Sequence, residues 1–140
     1  MSQRDIKLEL DFAVPPETLW AAIADHESMT KWVGARVRLI ARGDSQGVGA
    51  VRRVRIGATS VDEEVVYADA PRRLVYRVVR GALLSHHRGE VLIEPTSTGS
   101  HLTWSIRMVT PVPGLSRALS RVIGLGVGRG LHELRGLIGG

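Results

Sequence analysis

The 140-residue chain has no cysteine and no long apolar run. Without cysteine it can form neither disulfide bonds nor thiolate metal sites. No stretch approaches the roughly 18 to 20 consecutive apolar residues that a membrane-spanning helix requires. Residues 1–5 are mostly polar and lack the apolar centre of a signal peptide. We therefore expect a soluble, cytoplasmic protein without integral membrane association.

Lysine and aromatic residues are also scarce. Of 19 basic residues only Lys7 and Lys31 are lysines, and Phe12 is the one phenylalanine. The net charge of +5 would suit a nucleic-acid partner. The arginines are spread along the chain, however, and no aromatic residues alternate with them to form a base-stacking platform. The pattern favours a basic, solvated sheet face, and we expect no nucleic-acid partner.

Hydrophobic periodicity predicts one α+β domain over residues 1–140. Alternation of apolar and polar residues predicts strands, and a period of 3.6 predicts helices. The predicted strands are 6–14, 35–42, 48–56, 61–68, 74–80, 88–94 and 101–109, and the predicted helices are 16–25, 26–33 and 114–138. Short turns join the last six strands, which favours an antiparallel meander. The long amphipathic helix must bury its apolar stripe on the dry face of a sheet too large to stay flat.

Several segments, taken in order, resemble one known superfamily. They are residues 14–20 with Trp32, 69–76, 89–91, 103–104, and 128–131 with Leu134. The resemblance is to the START-like, or Bet v 1-like (SRPBCC), superfamily, and within it to the polyketide cyclase/dehydrase-like branch. It covers nearly the whole chain. It implies the helix-grip fold, a curved seven-stranded antiparallel sheet around a long C-terminal helix, with two short helices after the first strand.

The resemblance also implies a function. It implies that the protein holds a small hydrophobic molecule, such as a lipid, a polyketide or an aromatic compound, in an internal cavity between the sheet and the C-terminal helix. The alternative is an enzyme: a cyclase, aromatase or dehydratase that uses acid–base chemistry and enolate stabilisation in the same cavity. Neither function needs a cofactor, and the sequence names none. Whether the chain is an enzyme or a carrier stays open, as do the ligand and the oligomeric state.

Arg52 is the most informative polar residue. Its strand parity with Ala50 and Val54 points it inward, where an unpaired charge is very costly. Glu63 shares the inward parity of Val65 on the next strand, which favours an Arg52–Glu63 pair across the hairpin. The guanidinium is expected within hydrogen-bond range of Glu63 or Glu64, or of bound ligand. Arg52 would then be able to anchor a carboxylate, enolate or carbonyl of the ligand. An outward arginine on a bulged strand is the alternative.

Other predicted ligand-binding residues line the same inner face. They are Val54, Tyr67, Tyr76, Trp104 and Met108. The two tyrosines share the parity of apolar neighbours, so each could point a hydroxyl inward as a donor or general acid, or simply fill the core. Trp104 is predicted to form a wall rather than to catalyse.

The pair His86-His87 suggests a metal site, but neighbouring residues on a regular strand face opposite sides. No three ligands converge, so we expect no metal. His86 is on the side of Arg88, whereas Gly89 is on the other side. Either histidine could act as an acid or base at the mouth of the cavity, and the candidate catalytic residues are Arg52, Tyr76 and His86.

Glycines interrupt the long C-terminal helix, and each costs on the order of 1 kcal/mol relative to alanine. Gly126 and Gly130 lie one turn apart on the predicted inner stripe. The interpretation is that they face the cavity and set its volume. Close contact between the helix and the sheet is one alternative, and a looser helix that acts as a gate is another.

Overall fold

The computed structural model describes residues 2–81, 87–110 and 114–139. Within these ranges the order of elements agrees with the predicted one. The strands are β1 (Ser2–Phe12), β2 (Arg36–Ala41), β3 (Val51–Ile56), β4 (Thr59–Asp69), β5 (Arg73–Arg80), β6 (Arg88–Thr96) and β7 (Gly99–Thr110). The helices are α1 (Pro16–Ala24), a 3₁₀ helix (His26–Lys31) and α2 (Leu115–Ile138).

The described strands form one antiparallel sheet in the order β1-β7-β6-β5-β4-β3-β2. The run from β7 back to β2 is the predicted meander. β1 then pairs with β7 along its length, from Ser2 opposite Thr110 to Phe12 opposite Ser100. Because β1 and β2 are opposite edges of the sheet, α1 and the 3₁₀ helix connect the two edges. The prediction of a seven-stranded antiparallel sheet with a long C-terminal helix is confirmed.

The core lies on the inner face of this sheet. α2 packs mainly against β1, with further contacts to β7 and α1. Its buried residues Val127, Leu131 and Leu134 form the apolar stripe that a surface helix presents to a core, and each contributes about 1.5–3 kcal/mol. The inner face of the sheet contributes apolar residues at alternate positions, among them Phe12, Val37, Ala50, Val65, Leu74, Val91, Ile93, Leu102, Ile106 and Met108.

The 3₁₀ helix covers the free edge of β2. The Thr30 hydroxyl accepts a hydrogen bond from the Val37 backbone N–H at 2.9 Å and donates to the Val37 carbonyl at 3.2 Å. The Glu27 carboxylate accepts from the Leu39 N–H at 3.4 Å. These contacts occupy backbone groups that an exposed edge would offer to another strand, and they hold the 3₁₀ helix over the sheet.

Register shifts interrupt the pairing of β4 with β5. Val65 lies opposite Tyr76, but Tyr67 lies opposite Val75, so one extra residue is inserted in β4. A β-bulge of this kind reverses the parity of the residues that follow it. Tyr67 is accordingly on the outer face, 43% exposed, with the Arg73 guanidinium over its ring at 5.1 Å. The prediction that Tyr67 points inward is wrong.

Six of the described arginines form ion pairs on the outer side of the sheet. Asp62 is buried between Arg53 and Arg80, which donate to its carboxylate at 2.9 and 2.8 Å. Hydrogen bonds from Arg53, and then from Arg80, lower the pKa of Asp62 to about 2. The other outer pairs are Arg73–Glu90, Arg77–Glu64, Arg107–Asp5 and Arg72–Asp69. The basic sheet face predicted from composition is therefore present, and much of its charge is locally neutralised.

Candidate functional site

A buried ion pair lies on the inner face of the β3–β4 hairpin. Arg52 and Glu63 are directly opposite in the strand register, and Arg52 Nε donates to Glu63 Oε1 at 2.8 Å. Arg52 is 3% exposed and Glu63 is 8% exposed. The predicted contact between these two residues is confirmed, and the alternative of an outward Arg52 is excluded. Removing one partner of such a pair leaves an uncompensated buried charge, which costs about 3–5 kcal/mol.

The rest of the Arg52 guanidinium contacts the 3₁₀ helix and a ring of β5. Its Nη1 donates to Met29 Sδ at 2.9 Å and lies 3.4 Å from His26 Nδ1. Its Cζ is 4.7 Å from the centroid of the Tyr76 ring, a cation–π arrangement. Among the described residues, Nη2 has no hydrogen-bond partner. One donor of the buried guanidinium is therefore available to another group.

His26 is held neutral by its surroundings. Burial, and next the positive charge of Arg52, lower its pKa to about 4, while Asp25 acts in the opposite direction. Because Arg52 can only donate, the neutral ring is expected to present Nδ1 as the acceptor and to carry its proton on Nε2. His26 is 26 residues from Arg52 in the chain, and no pattern in the sequence indicates it.

Tyr76 is buried at the centre of the inner face. Its hydroxyl accepts a hydrogen bond from Trp104 Nε1 at 3.1 Å. Burial raises the pKa of Tyr76, and the carboxylate of Glu63 raises it further, so the hydroxyl keeps its proton. Gly89, directly opposite on β6, makes room for the ring, because a Cβ at that position would overlap the Tyr76 side chain.

His87 completes this group of side chains. It is 4% exposed, and neither ring nitrogen has a hydrogen-bond partner within the described part of the chain. Burial lowers the pKa of His87, Arg52 lowers it further, and Glu63 opposes both. The ring centroid is 6.0 Å from that of Tyr76. Arg52, Glu63, Tyr76 and His87 are called the polar cluster below.

Aromatic rings extend from the polar cluster into the core. Tyr76 meets Trp104 edge to face at 6.5 Å, and Trp104 meets Trp32 in the same way at 6.2 Å. Trp32 Nε1 is a second buried polar group without a described partner. An unpaired buried polar group calls for an explanation, and among the described residues Trp32 and His87 carry such groups.

The structure brings some of the predicted site residues together and separates others. Arg52, Glu63, Tyr76 and Trp104 are in one buried group, while Met108 is buried on β7 and Val54 is half-buried on β3. Tyr67 is on the opposite face, as described above. His86 lies outside the residues that the structure describes. The ligand-binding role of all these residues stays a prediction.

Either histidine is a possible acid or base from the sequence, but the candidate catalytic residues include only His86, whereas the buried histidine beside Tyr76 is His87. Gly89, Val91 and Ile93 share one side of the predicted strand, and parity extends that side to His87. Parity alone could have identified His87 as the inward histidine.

The predicted placement of the two glycines is wrong for Gly126 and incomplete for Gly130. Gly126 is exposed, and a Cβ there would have nothing within 4 Å. Gly130 is buried, but a Cβ would lie 2.7 Å from the Trp32 carbonyl oxygen and 3.1 Å from Val33 Cα. Gly130 therefore permits close contact of α2 with the chain that follows the 3₁₀ helix, and neither glycine borders open interior space.

The described residues line two surface depressions of interest. One, of about 380 Å³, is lined from β1, β6 and β7, and the other, of about 470 Å³, lies where β2 and β3 meet the 3₁₀ helix. Neither lies between the sheet and α2, where the described core side chains pack together. The internal cavity stays a prediction.

Across the described ranges no cluster of three or more possible metal ligands forms, and no helix is long and apolar enough to cross a membrane.

Comparison with known proteins agrees with this architecture. A family model described as polyketide cyclase / dehydrase and lipid transport matches residues 3–139. No protein of curated function matches the chain.

Several solved structures are similar. The Zhui aromatase/cyclase from a Streptomyces species has a TM-score of 0.80 at 16% identity, over 98% of this chain and 94% of that one. A START superfamily protein from Mycobacterium smegmatis has a TM-score of 0.78 at 14% identity, over 97% and 96%. A solution structure from Thermobifida fusca has a TM-score of 0.73 at 26% identity, over 99% and 94%. These likenesses concern the fold, and the family match extends over nearly the whole sequence. The chain belongs to the polyketide cyclase/dehydrase and lipid transport family.

Proposed function

We propose that the protein binds a small hydrophobic molecule with one polar group between the inner face of the sheet and α2. The observation that carries this proposal is the polar cluster within an apolar core. Arg52 Nη2 and both ring nitrogens of His87 have no partner among the described residues. Buried polar groups are normally hydrogen-bonded, so a polar group of a bound ligand would pair with hydrogen-bonding atoms that the chain leaves open.

The geometry favours a ligand whose polar end accepts hydrogen bonds. Arg52 Nη2 can only donate, and the Tyr76 hydroxyl, which accepts from Trp104, has its own proton to donate. A carboxylate, enolate or carbonyl oxygen has the matching acceptors. Trp104 and Met108 offer apolar surface for the body of the ligand. The ligand would be an aromatic, polyketide-like or lipid molecule with such an oxygen.

A pair of fluorescent probes tests this proposal. Anilinonaphthalene sulfonate and phenylnaphthylamine share one apolar body, but only the first carries an anionic group. The variant Arg52→Leu/Glu63→Leu removes both charges without leaving either unpaired. We expect both probes to bind the parent protein and the variant to lose affinity about tenfold for the sulfonate probe alone. Failure of both probes to bind, or equal loss of both, would contradict the proposal.

A second candidate function is acid–base catalysis on an enolisable, polyketide-like substrate. The observation that favours it is the opposite perturbation of two neighbouring groups. His87 has a lowered pKa and unpaired ring nitrogens, so the neutral ring can accept a proton, while Tyr76 has a raised pKa, so its hydroxyl stays protonated and can donate a hydrogen bond. Arg52 would stabilise the enolate oxygen.

Deuterium exchange at an enolisable dicarbonyl compound separates the two candidates. An enzyme should accelerate the exchange, and His87→Phe should abolish this acceleration while the apolar probe still binds. A carrier should bind the probe without accelerating exchange. Exchange that persists undiminished in His87→Phe would remove His87 from the mechanism.

A further inference from the structure

Four arginines form a square on the outer face of β2 and β3, on the side of the sheet away from the core. Arg36 lies opposite Arg55, and Arg38 lies opposite Arg53. Opposite residues in an antiparallel pair have Cβ atoms about 5 Å apart, and same-face neighbours along a strand are about 7 Å apart. These residues, called the arginine quartet, therefore concentrate four positive charges within one small area.

The quartet is only partly neutralised. Arg53 bonds the Asp62 carboxylate at 2.9 and 3.2 Å, but Arg80 binds the same carboxylate. Arg55 donates to the Gly57 carbonyl, which carries no net charge, at 3.2 Å. The two members on β2 form no ion pair with any residue that the structure describes. Like charges placed opposite each other destabilise a sheet, so a bound anion would relieve the repulsion.

The quartet surrounds the depression of about 470 Å³ at the junction with the 3₁₀ helix. Glu27, Thr30 and Val37 complete the lining. The carboxylate of Glu27 accepts from the Leu39 N–H, and the Thr30 hydroxyl is engaged by Val37. The quartet and the neighbouring Arg80 together supply five guanidinium groups, against the two carboxylates of Glu27 and Asp62. None of the lining residues is aromatic, so the depression offers no stacking platform for a nucleic-acid base.

We propose that the arginine quartet binds the phosphate or pyrophosphate group of a phosphate-bearing ligand. Guanidinium groups are planar, permanently charged and matched to bidentate contact with phosphate oxygens. A concave basic depression also fits a compact polyanion better than it fits the flat acidic surface of another protein. A soluble phosphate ester and a phospholipid headgroup share this chemistry. The proposal does not depend on the interior ligand proposed above.

Inorganic pyrophosphate titrated by calorimetry at low ionic strength tests the site directly. The variant Arg36→Gln/Arg38→Gln removes the two unpaired charges, and Arg121→Gln/Arg129→Gln removes two exposed charges from α2 as the matched control. We expect saturable binding by the parent protein, about tenfold weaker binding by the quartet variant, and a change within about twofold for the control. Thermal melts should show both variants folded, with the quartet variant at least as stable as the parent.

Vesicles distinguish the two sources of phosphate. Co-sedimentation with phosphatidylglycerol vesicles, lost in the quartet variant and absent with neutral phosphatidylcholine vesicles, assigns the site to a lipid headgroup. Pyrophosphate binding without vesicle binding assigns it to a soluble phosphate ester. The proposal is overturned if the parent protein binds neither, or if the quartet and control variants weaken binding equally, because only net charge would then matter.

Discussion

The buried Arg52–Glu63 pair allows a sharp prediction about stability. Each single substitution, Arg52→Leu or Glu63→Leu, leaves the other charge buried without a partner. Such a change costs about 3–5 kcal/mol, a large share of the roughly 5–15 kcal/mol that stabilises a typical domain. The double substitution removes both charges and adds apolar surface to the core. We expect its free energy of unfolding to lie close to that of the parent or above it.

Urea unfolding of the four proteins measures this directly, with the midpoint and the slope compared to confirm a common two-state transition. The double-mutant cycle should give a coupling energy of about 3 kcal/mol or more. The pair Arg107–Asp5 is the control, because its side chains are 63% and 61% exposed at a similar distance of 3.2 Å. Its cycle should give less than about 1 kcal/mol.

Two results would contradict this account of the Arg52–Glu63 pair. If Glu63→Leu costs less than about 1 kcal/mol, Arg52 is not held in a low-dielectric interior. If the double variant is as unstable as the worse single variant, the pair is not the source of the coupling, and another contact of Arg52 must dominate.

Three further predictions follow from particular residues. His87→Phe should reduce the loss of stability as the pH falls below 6.5, because the folded state disfavours the charged ring. His101→Gln should remove a gain of stability that the parent acquires as the pH falls from above 6.5 towards 6.5, because hydrogen bonds to Asp11 and Glu9 raise the His101 pKa. Asp62→Asn should flatten the fall in melting temperature between about pH 4 and pH 2, since the parent carboxylate has a pKa of about 2 when folded and 3.8 when unfolded. Gly130→Ala should lower the free energy of unfolding by about 1–3 kcal/mol through overlap with backbone, while Gly126→Ala should raise it by up to about 1 kcal/mol through helix propensity.

Each of these predictions has a contrary outcome. The histidine prediction fails if both variants change acid stability in the same direction in melts between pH 8 and pH 5. The aspartate prediction fails if Asp62→Asn loses as much melting temperature as the parent over the acidic range. Equal stability changes for the two alanine variants in urea would mean that Gly130 does not contact the chain after the 3₁₀ helix.

The fold and the ion pair at the centre of the candidate site can be predicted from the amino-acid sequence alone. Strict alternation on short segments specifies strands and their faces, because side chains on a strand point alternately to the two sides. The β3–β4 hairpin is tight, so the pairing of Arg52 with Glu63 follows from local spacing alone. Tyr76 and Trp104 were placed correctly for the same reason: their strand parity persists without interruption up to their positions.

The remaining features depend on how separate elements pack against one another. The bulge before Tyr67 moves that side chain to the outer face, and no periodicity within one strand reveals an inserted residue. Gly126 and Gly130 share a helical stripe, but the docking of α2 buries only the second. His26 reaches Arg52 through a contact across 26 residues. Hydrophobic periodicity predicts which side chains share a face within one strand or helix. Bulges, helix docking and long-range contacts depend instead on how separate elements pack together.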